Sequence, residues 1–157
     1  MLGCDRMQDV QLDRNQLTFE SLIQAPIDRV WAAITTSEGT RETLFGCSIE
    51  STFEPGARIE FRGQGADGDN TLHVYGFVRH YEPNVEFAYE QHAAPAYDPD
   101  HETTYCDMTF KLIPEGEATR LVFTCNWTAG NRGYEHAKAS YPESDYMDAI
   151  KRFAEAR

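Results

Sequence analysis

The strongest constraint on how this chain folds is a pair of alternating runs, residues 105–113 and 120–127, joined through the turn-forming stretch from Glu115 to Ala118. Apolar and polar residues alternate in both with a period of two, the side-chain period of a half-buried strand. Pairing Ile113 with Arg120 sets Leu112, Phe110, Met108 and Cys106 against Leu121, Phe123, Cys125 and Trp127 on one face. Asp107, Thr109 and Lys111 then point to water. A slip of one residue would turn every one of these apolar side chains outward, so the register is strongly specified. A sheet with one greasy face has to be covered by the rest of the chain.

Further strands and the cover follow from the same reasoning. Residues 17–23 carry Leu17, Thr18, Phe19 and Ile23 and stop at Ala25 and Pro26, which cannot donate to a ladder. Behind Pro26, Ile27, Val30, Trp31 and Ile34 recur at helical spacing, with Asp28 at the positive end of the dipole. A second short helix is predicted over 37–44 with Ser37 as its cap. Cys47, Ile49, Ser51 and Phe53 alternate, and after Glu54, Pro55 and Gly56 so do Ile59 and Phe61. The Gly- and Asp-rich stretch 63–70 reads as a loop. Strands resume at 71–81 and 85–92 around Glu82, Pro83 and Asn84. Pairing His80 with Val85 puts Val78 opposite Phe87, Gly76 opposite Tyr89 and Val74 opposite Gln91, with Gly76 leaving room for the Tyr89 ring and letting the sheet bend. The tail, 144–157, is helical, with Tyr146, Met147, Ile150, Phe153 and Ala154 in one stripe. At roughly 1.5–3 kcal/mol per large side chain buried, that stripe should lie across the sheet.

The chain of 157 residues suits one domain over 16–157 preceded by a loose polar arm over 1–15. Its net charge of −12 disfavours phosphate-dense partners, so nucleic acid and anionic membrane are not expected. No apolar run reaches membrane-spanning length. Cys4, Cys47, Cys106 and Cys125 show no metal-ligand spacing, and the N-terminus shows no export signal, so reduced thiols and a cytoplasmic location are predicted. Neither a metal nor a cofactor is called for.

Beyond these patterns, Ala25 and Pro26 with Val30, Trp31 and Ile34, then Phe53 to Gly56, then Gly76, Val78 and Pro83, then Phe110, Leu112 and the Thr119, Arg120, Leu121 strand start, occur in a familiar order. In that order the chain, over about residues 17–157, resembles the Hsp90-ATPase-activator-like (AHSA1-like) single-domain proteins of the START and Bet v 1 related polyketide-cyclase superfamily. The resemblance implies an α+β helix-grip fold: a curved antiparallel sheet around a long C-terminal helix, with two short helices after the first strand. Many members have a Trp near the end of the second short helix where this chain has Leu44 and Phe45. Pro142 interrupts the last helix.

Projected inward, Phe53, Ile59, Phe61, Val74, Val78, Tyr89, Gln91, Met108, Phe123 and Trp127 would line an apolar cavity under Tyr146 and Ile150, and the simpler reading of the same pattern is a packed core. His80, Tyr89 and Gln91 on that face are candidates for orienting a carbonyl or moving a proton, although a histidine beside a hairpin tip more often bonds its own loop. Asp98, Asp100, His101 and Glu102, with His92, concentrate metal-type ligands but read better as a solvated loop, and 93–103 has the length of a lid. The predicted function is binding or carriage of a small hydrophobic molecule. The alternatives are a cyclase-like enzyme and an Hsp90-cochaperone-like module. Homodimer formation stays open.

Overall fold

A computed structural model describes residues 14–156; most of the predicted arm, with Cys4, lies outside them. The element order is β1 (Arg14–Ile23), α1 (Ile27–Thr35), α2 (Ser37–Thr43), β2 (Ser48–Glu50), β3 (Arg58–Gly65), β4 (Gly68–Glu82), β5 (Glu86–Ala93), β6 (Cys106–Glu115), β7 (Ala118–Thr128), α3 (Arg132–Ser140), a 3-10 turn (Tyr141–Glu143) and α4 (Tyr146–Glu155). The strands form one antiparallel sheet in the order β1-β7-β6-β5-β4-β3-β2. This is the helix-grip architecture.

The β6–β7 ladder pairs Ile113 with Arg120, Leu112 with Leu121, Phe110 with Phe123 and Met108 with Cys125, as the alternation requires. β1 adds to the other side of β7, matching Phe19 with Phe123 and Leu17 with Cys125. Inward residues of the three strands then meet. The Phe110 and Phe123 rings stack with centroids 4.5 Å apart, and Phe19 stacks on Phe123 at 6.0 Å.

β4 and β5 pair differently from the sequence-based register. Val78 faces Tyr89, Gly76 faces Gln91 and Val74 faces Ala93, but beyond Val78 the ladder shifts and His80 faces Ala88. The extra residue, Arg79, forms a bulge that reverses the in–out alternation of everything after it. Tyr81 thereby turns inward onto Trp31 and Phe53, with centroids at 5.3 and 4.7 Å, while His80 is exposed beside Glu82. Gly76 does not make room for the Tyr89 ring. A Cβ there would overlap the Glu90 backbone carbonyl, so glycine permits close approach of the two strands.

The stretch 63–70 is a hairpin and not a loop: Gly65 pairs with Gly68 across Ala66 and Asp67, and Gly68 adopts φ +89°. Glycine and aspartate there serve a tight turn inside continuing strands. α2 is capped by Thr36, whose hydroxyl accepts from Gly39 N–H at 3.1 Å, one residue before the predicted Ser37.

The closing helix is divided. Pro142 cannot donate, so the helical path loosens into the 3-10 turn and restarts as α4. α4 packs on α1, α2 and β1. Ile150, Phe153 and Ala154 join the core, and Tyr146 meets Phe123 and Phe110 edge-on at 5.7 and 6.3 Å. Its far end is clamped to the end of β1: Lys151 donates to the Leu22 carbonyl at 2.9 Å, and Gln24 N–H donates to Glu155 at 2.7 Å. Burial of the core aromatics supplies most of what holds these layers together, at roughly 1.5–3 kcal/mol for each large side chain.

Candidate functional site

Two sets of predicted site residues separate in space. Ile59, Phe61, Val78, Tyr89, Met108, Phe123, Trp127 and Ile150 are buried in one core cluster, and Phe53, Val74 and Tyr146 pack against it part-buried. Their rings fill much of the volume beneath α4 and α1: Phe61 lies 5.8 Å from Tyr89, Tyr89 stacks on Phe87 at 5.1 Å, and Phe87 on Phe110 at 6.2 Å. Gln91 and Trp127 also border open space.

That space is a cleft of about 420 Å³ at the end of the sheet where β5 stops and β6 begins. Gln91, Ala93, Cys106 and Trp127 come from the strands, Arg132, His136 and Tyr141 from α3 and the turn after it, and Tyr97, Asp98, Pro99 and Thr104 from the β5–β6 loop. α3 is capped by Asn131, whose side-chain oxygen accepts from Gly133 N–H at 2.8 Å. Trp127 is flanked by Tyr134 and Tyr141 at 5.7 and 6.1 Å.

Gln91 is the polar hub of the cleft. Its side-chain oxygen accepts from the Tyr89 hydroxyl at 2.9 Å, and Tyr141 lines the same cleft. Burial pushes the Tyr89 and Tyr141 phenols above their ordinary range, so both remain neutral donors. His80 is not part of this set: the bulge carries it to the exposed side of the sheet, with Nε2 3.3 Å from Glu82. The histidine at the cleft is His136, which sequence periodicity did not single out.

The β5–β6 loop is tied down on both sides. Asp98 accepts from Thr104 at 2.5 Å, from Asp100 N–H at 2.9 Å and from Arg132 at 2.6 Å, contacts that hold its carboxyl below the usual carboxylate range. Arg132 also reaches Asp100 at 3.0 Å, and Asn131 donates to the Thr103 carbonyl at 3.1 Å. On the opposite face of the sheet His92 stacks on Tyr75 at 4.7 Å, donates from Nδ1 to the His101 carbonyl at 2.5 Å and faces Glu90 through Nε2 at 2.5 Å. The Tyr75 hydroxyl meets His101 Nδ1 at 2.5 Å. Asp98, Asp100, His92 and His101 are thus occupied in docking this segment. Among the described residues no group of three or more His, Cys, Asp or Glu side chains is placed to hold a metal ion, and no helix is long and apolar enough to cross a membrane.

A family model described as activator of Hsp90 ATPase homolog 1-like protein matches residues 24–155. The chain belongs to that family. AHSA1-like membership agrees with the solved structures that share its fold. Protein MLL2253 from Mesorhizobium loti superposes with a TM-score of 0.68 at 21% identity, over 90% of this chain and 97% of that one. CalU16 from Micromonospora echinospora gives 0.64 at 14% identity, over 88% of this chain and 65% of its own. The Aha1 dimer from Colwellia psychrerythraea gives 0.63 at 16% identity, over 88% and 95%. At these identities the likeness establishes the fold. Among curated protein sequences none matches the chain.

Proposed function

We propose that this AHSA1-like protein binds or carries a small, mainly apolar molecule in the cleft between the β5–β6 loop and α3. The observation that carries the reading is the 420 Å³ volume bounded by Trp127, Cys106 and Ala93 with Gln91 and Tyr141 converging on it. This size lies within the ~300–1,000 Å³ of small-molecule sites; Trp127, Cys106, Ala93 and Pro99 form its apolar wall, and Gln91, Thr104, Arg132, His136 and Tyr141 supply polar groups around it. The apolar body of the ligand rests against Trp127, and its oxygen or nitrogen meets the Gln91 amide or the Tyr141 hydroxyl. The β5–β6 loop acts as the lid, held shut by Arg132 on Asp98 and Asp100.

The reading requires only an apolar volume and an orienting amide. An enzymatic reading would need an acid–base group beside the ligand; His80, exposed next to Glu82, does not supply one, and the imidazole that borders the cleft is that of His136.

Native mass spectrometry of freshly purified protein, together with titration by 8-anilino-1-naphthalenesulfonate, tests the reading. One molecule is expected per chain, and Ala93→Trp, which fills the cleft from its rim, should abolish binding while leaving the far-UV circular dichroism unchanged. Dye binding that Ala93→Trp leaves intact would place the ligand elsewhere. Stoichiometric co-sedimentation with Hsp90 by a protein that retains no small molecule would favour the cochaperone-like alternative.

A further inference from the structure

Behind the cleft wall formed by Cys106, three sulfur-bearing side chains lie together. Cys125 Sγ is 3.4 Å from Met108 Sδ and Cys106 Sγ is 3.8 Å from Met108 Sδ, so the thioether sits within reach of both thiols. The triangle arises from strand geometry. Cys106 and Met108 are two apart on β6 and share its inward face, and Met108 pairs directly with Cys125 on β7. Both cysteines are free, at 4% and 0% exposure. Cys106 nevertheless borders the cleft, so the cluster has a route to solvent.

The geometry points to a binding site for one Cu(I) ion, held by the Cys106 and Cys125 thiolates and the Met108 thioether. Two thiolates and a thioether are a soft donor set. A thioether adds little for zinc, calcium or magnesium and is well matched to Cu(I). A cation at ~2.3 Å from three sulfurs in a plane sets them about 4.0 Å apart. The two Met108 separations, 3.4 and 3.8 Å, need to open by roughly 0.6 and 0.2 Å to reach it. Binding replaces the two thiol protons, which leave to water through the cleft, and no electron is transferred. The cysteines are 19 positions apart on different strands, so no ligand spacing betrays them.

The test uses the full chain with Cys4→Ser and Cys47→Ala, leaving only these two thiols. Anaerobic titration with Cu(I) against a competing chelator should load one ion per chain, with near-ultraviolet thiolate-to-copper absorption and three sulfur neighbours by X-ray absorption. Met108→Leu, close in volume, should weaken binding by about tenfold or more and drop the coordination to two sulfurs. Cys106→Ser should abolish the absorption band. Absence of stoichiometric binding in a protein with an unchanged circular dichroism spectrum overturns the site, as does an affinity that Met108→Leu does not alter. Because Met108→Leu keeps the core filled, the outcome does not depend on whether a Cys125 variant folds.

Discussion

The β6–β7 and β4–β5 hairpins are both long, antiparallel and alternating, yet one keeps an unbroken ladder and the other does not. In β6–β7 every pair from Asp107–Asn126 to Glu115–Ala118 follows in step, so the face of each residue is set by its place in the sequence. In β4–β5 the shift at Arg79 ends that correspondence. Residues on the sheet-centre side of Arg79 keep their expected faces, and those toward the tip exchange them. The difference teaches that alternation specifies faces only as far as the ladder runs unbroken. It also shows what the bulge achieves, since a bulged strand bends and twists more strongly, and here the reversal delivers Tyr81 to Trp31, Phe53 and Phe87.

The largest effect that would sharpen this comparison is expected from Phe110→Ala. Phe110 is buried between Phe123, Phe87 and Tyr146, so its loss should cost about 3–5 kcal/mol in denaturant-induced unfolding. A cost below 1 kcal/mol would mean that the regular hairpin is not the centre of the core.

Gly76→Ala comes next. Its methyl group must displace the Glu90 carbonyl, so about 1–3 kcal/mol should be lost, with amide exchange rising along β4–β5 before β6–β7. Uniform exchange across both hairpins would show that the close approach at Gly76 has no local role.

A smaller effect is expected at the loop tether. Arg132→Ala removes exposed ion pairs to Asp98 and Asp100, so global stability should fall by no more than about 1 kcal/mol, while exchange of the 95–104 amides accelerates. Acid should do the same. Hydrogen bonds from Thr104 and the Asp100 amide, with the Arg132 pair, depress the Asp98 carboxyl. Its contribution is therefore complete above the ordinary aspartate value of ~3.9 and is lost as pH falls through the lower folded value. Protection of the loop amides, referred to the intrinsic exchange rate at each pH, that does not fall between pH 5 and pH 2 would contradict this tether.

The smallest effect belongs to His80→Ala, which should change stability by less than about 0.5 kcal/mol and leave dye binding in the cleft unaltered, because His80 is exposed beyond the bulge. Loss of binding in that variant would return His80 to the site and refute the face reversal.

Much of the site was only half legible. Gln91 and Trp127 could be placed on the inward face because they lie on β5 and β7 in stretches with no intervening irregularity. α3 carried a weaker signal: an Asn131 cap followed by Tyr134, Ala137 and Tyr141 at helical spacing, with Ala137 the single side chain buried along it. So thin a stripe resembles a solvated loop until its partner, Trp127, is known. His136 had no pattern at all, because it reaches the cleft only through the way α3 docks.

From its own residues the chain determined where most strands and helices form, α3 and the 63–70 hairpin excepted, which face of β6–β7 is apolar, and that Pro142 would interrupt the closing helix. Those outcomes depend on nearest neighbours along the backbone: side-chain periodicity, missing N–H groups and capping oxygens. Tertiary structure alone decided that the ladder slips at Arg79, that the β5–β6 loop docks on Arg132, and that Cys106 borders a cleft closed by α3. Each of these depends on how segments distant in sequence satisfy one another's packing and hydrogen bonds, which no local period records.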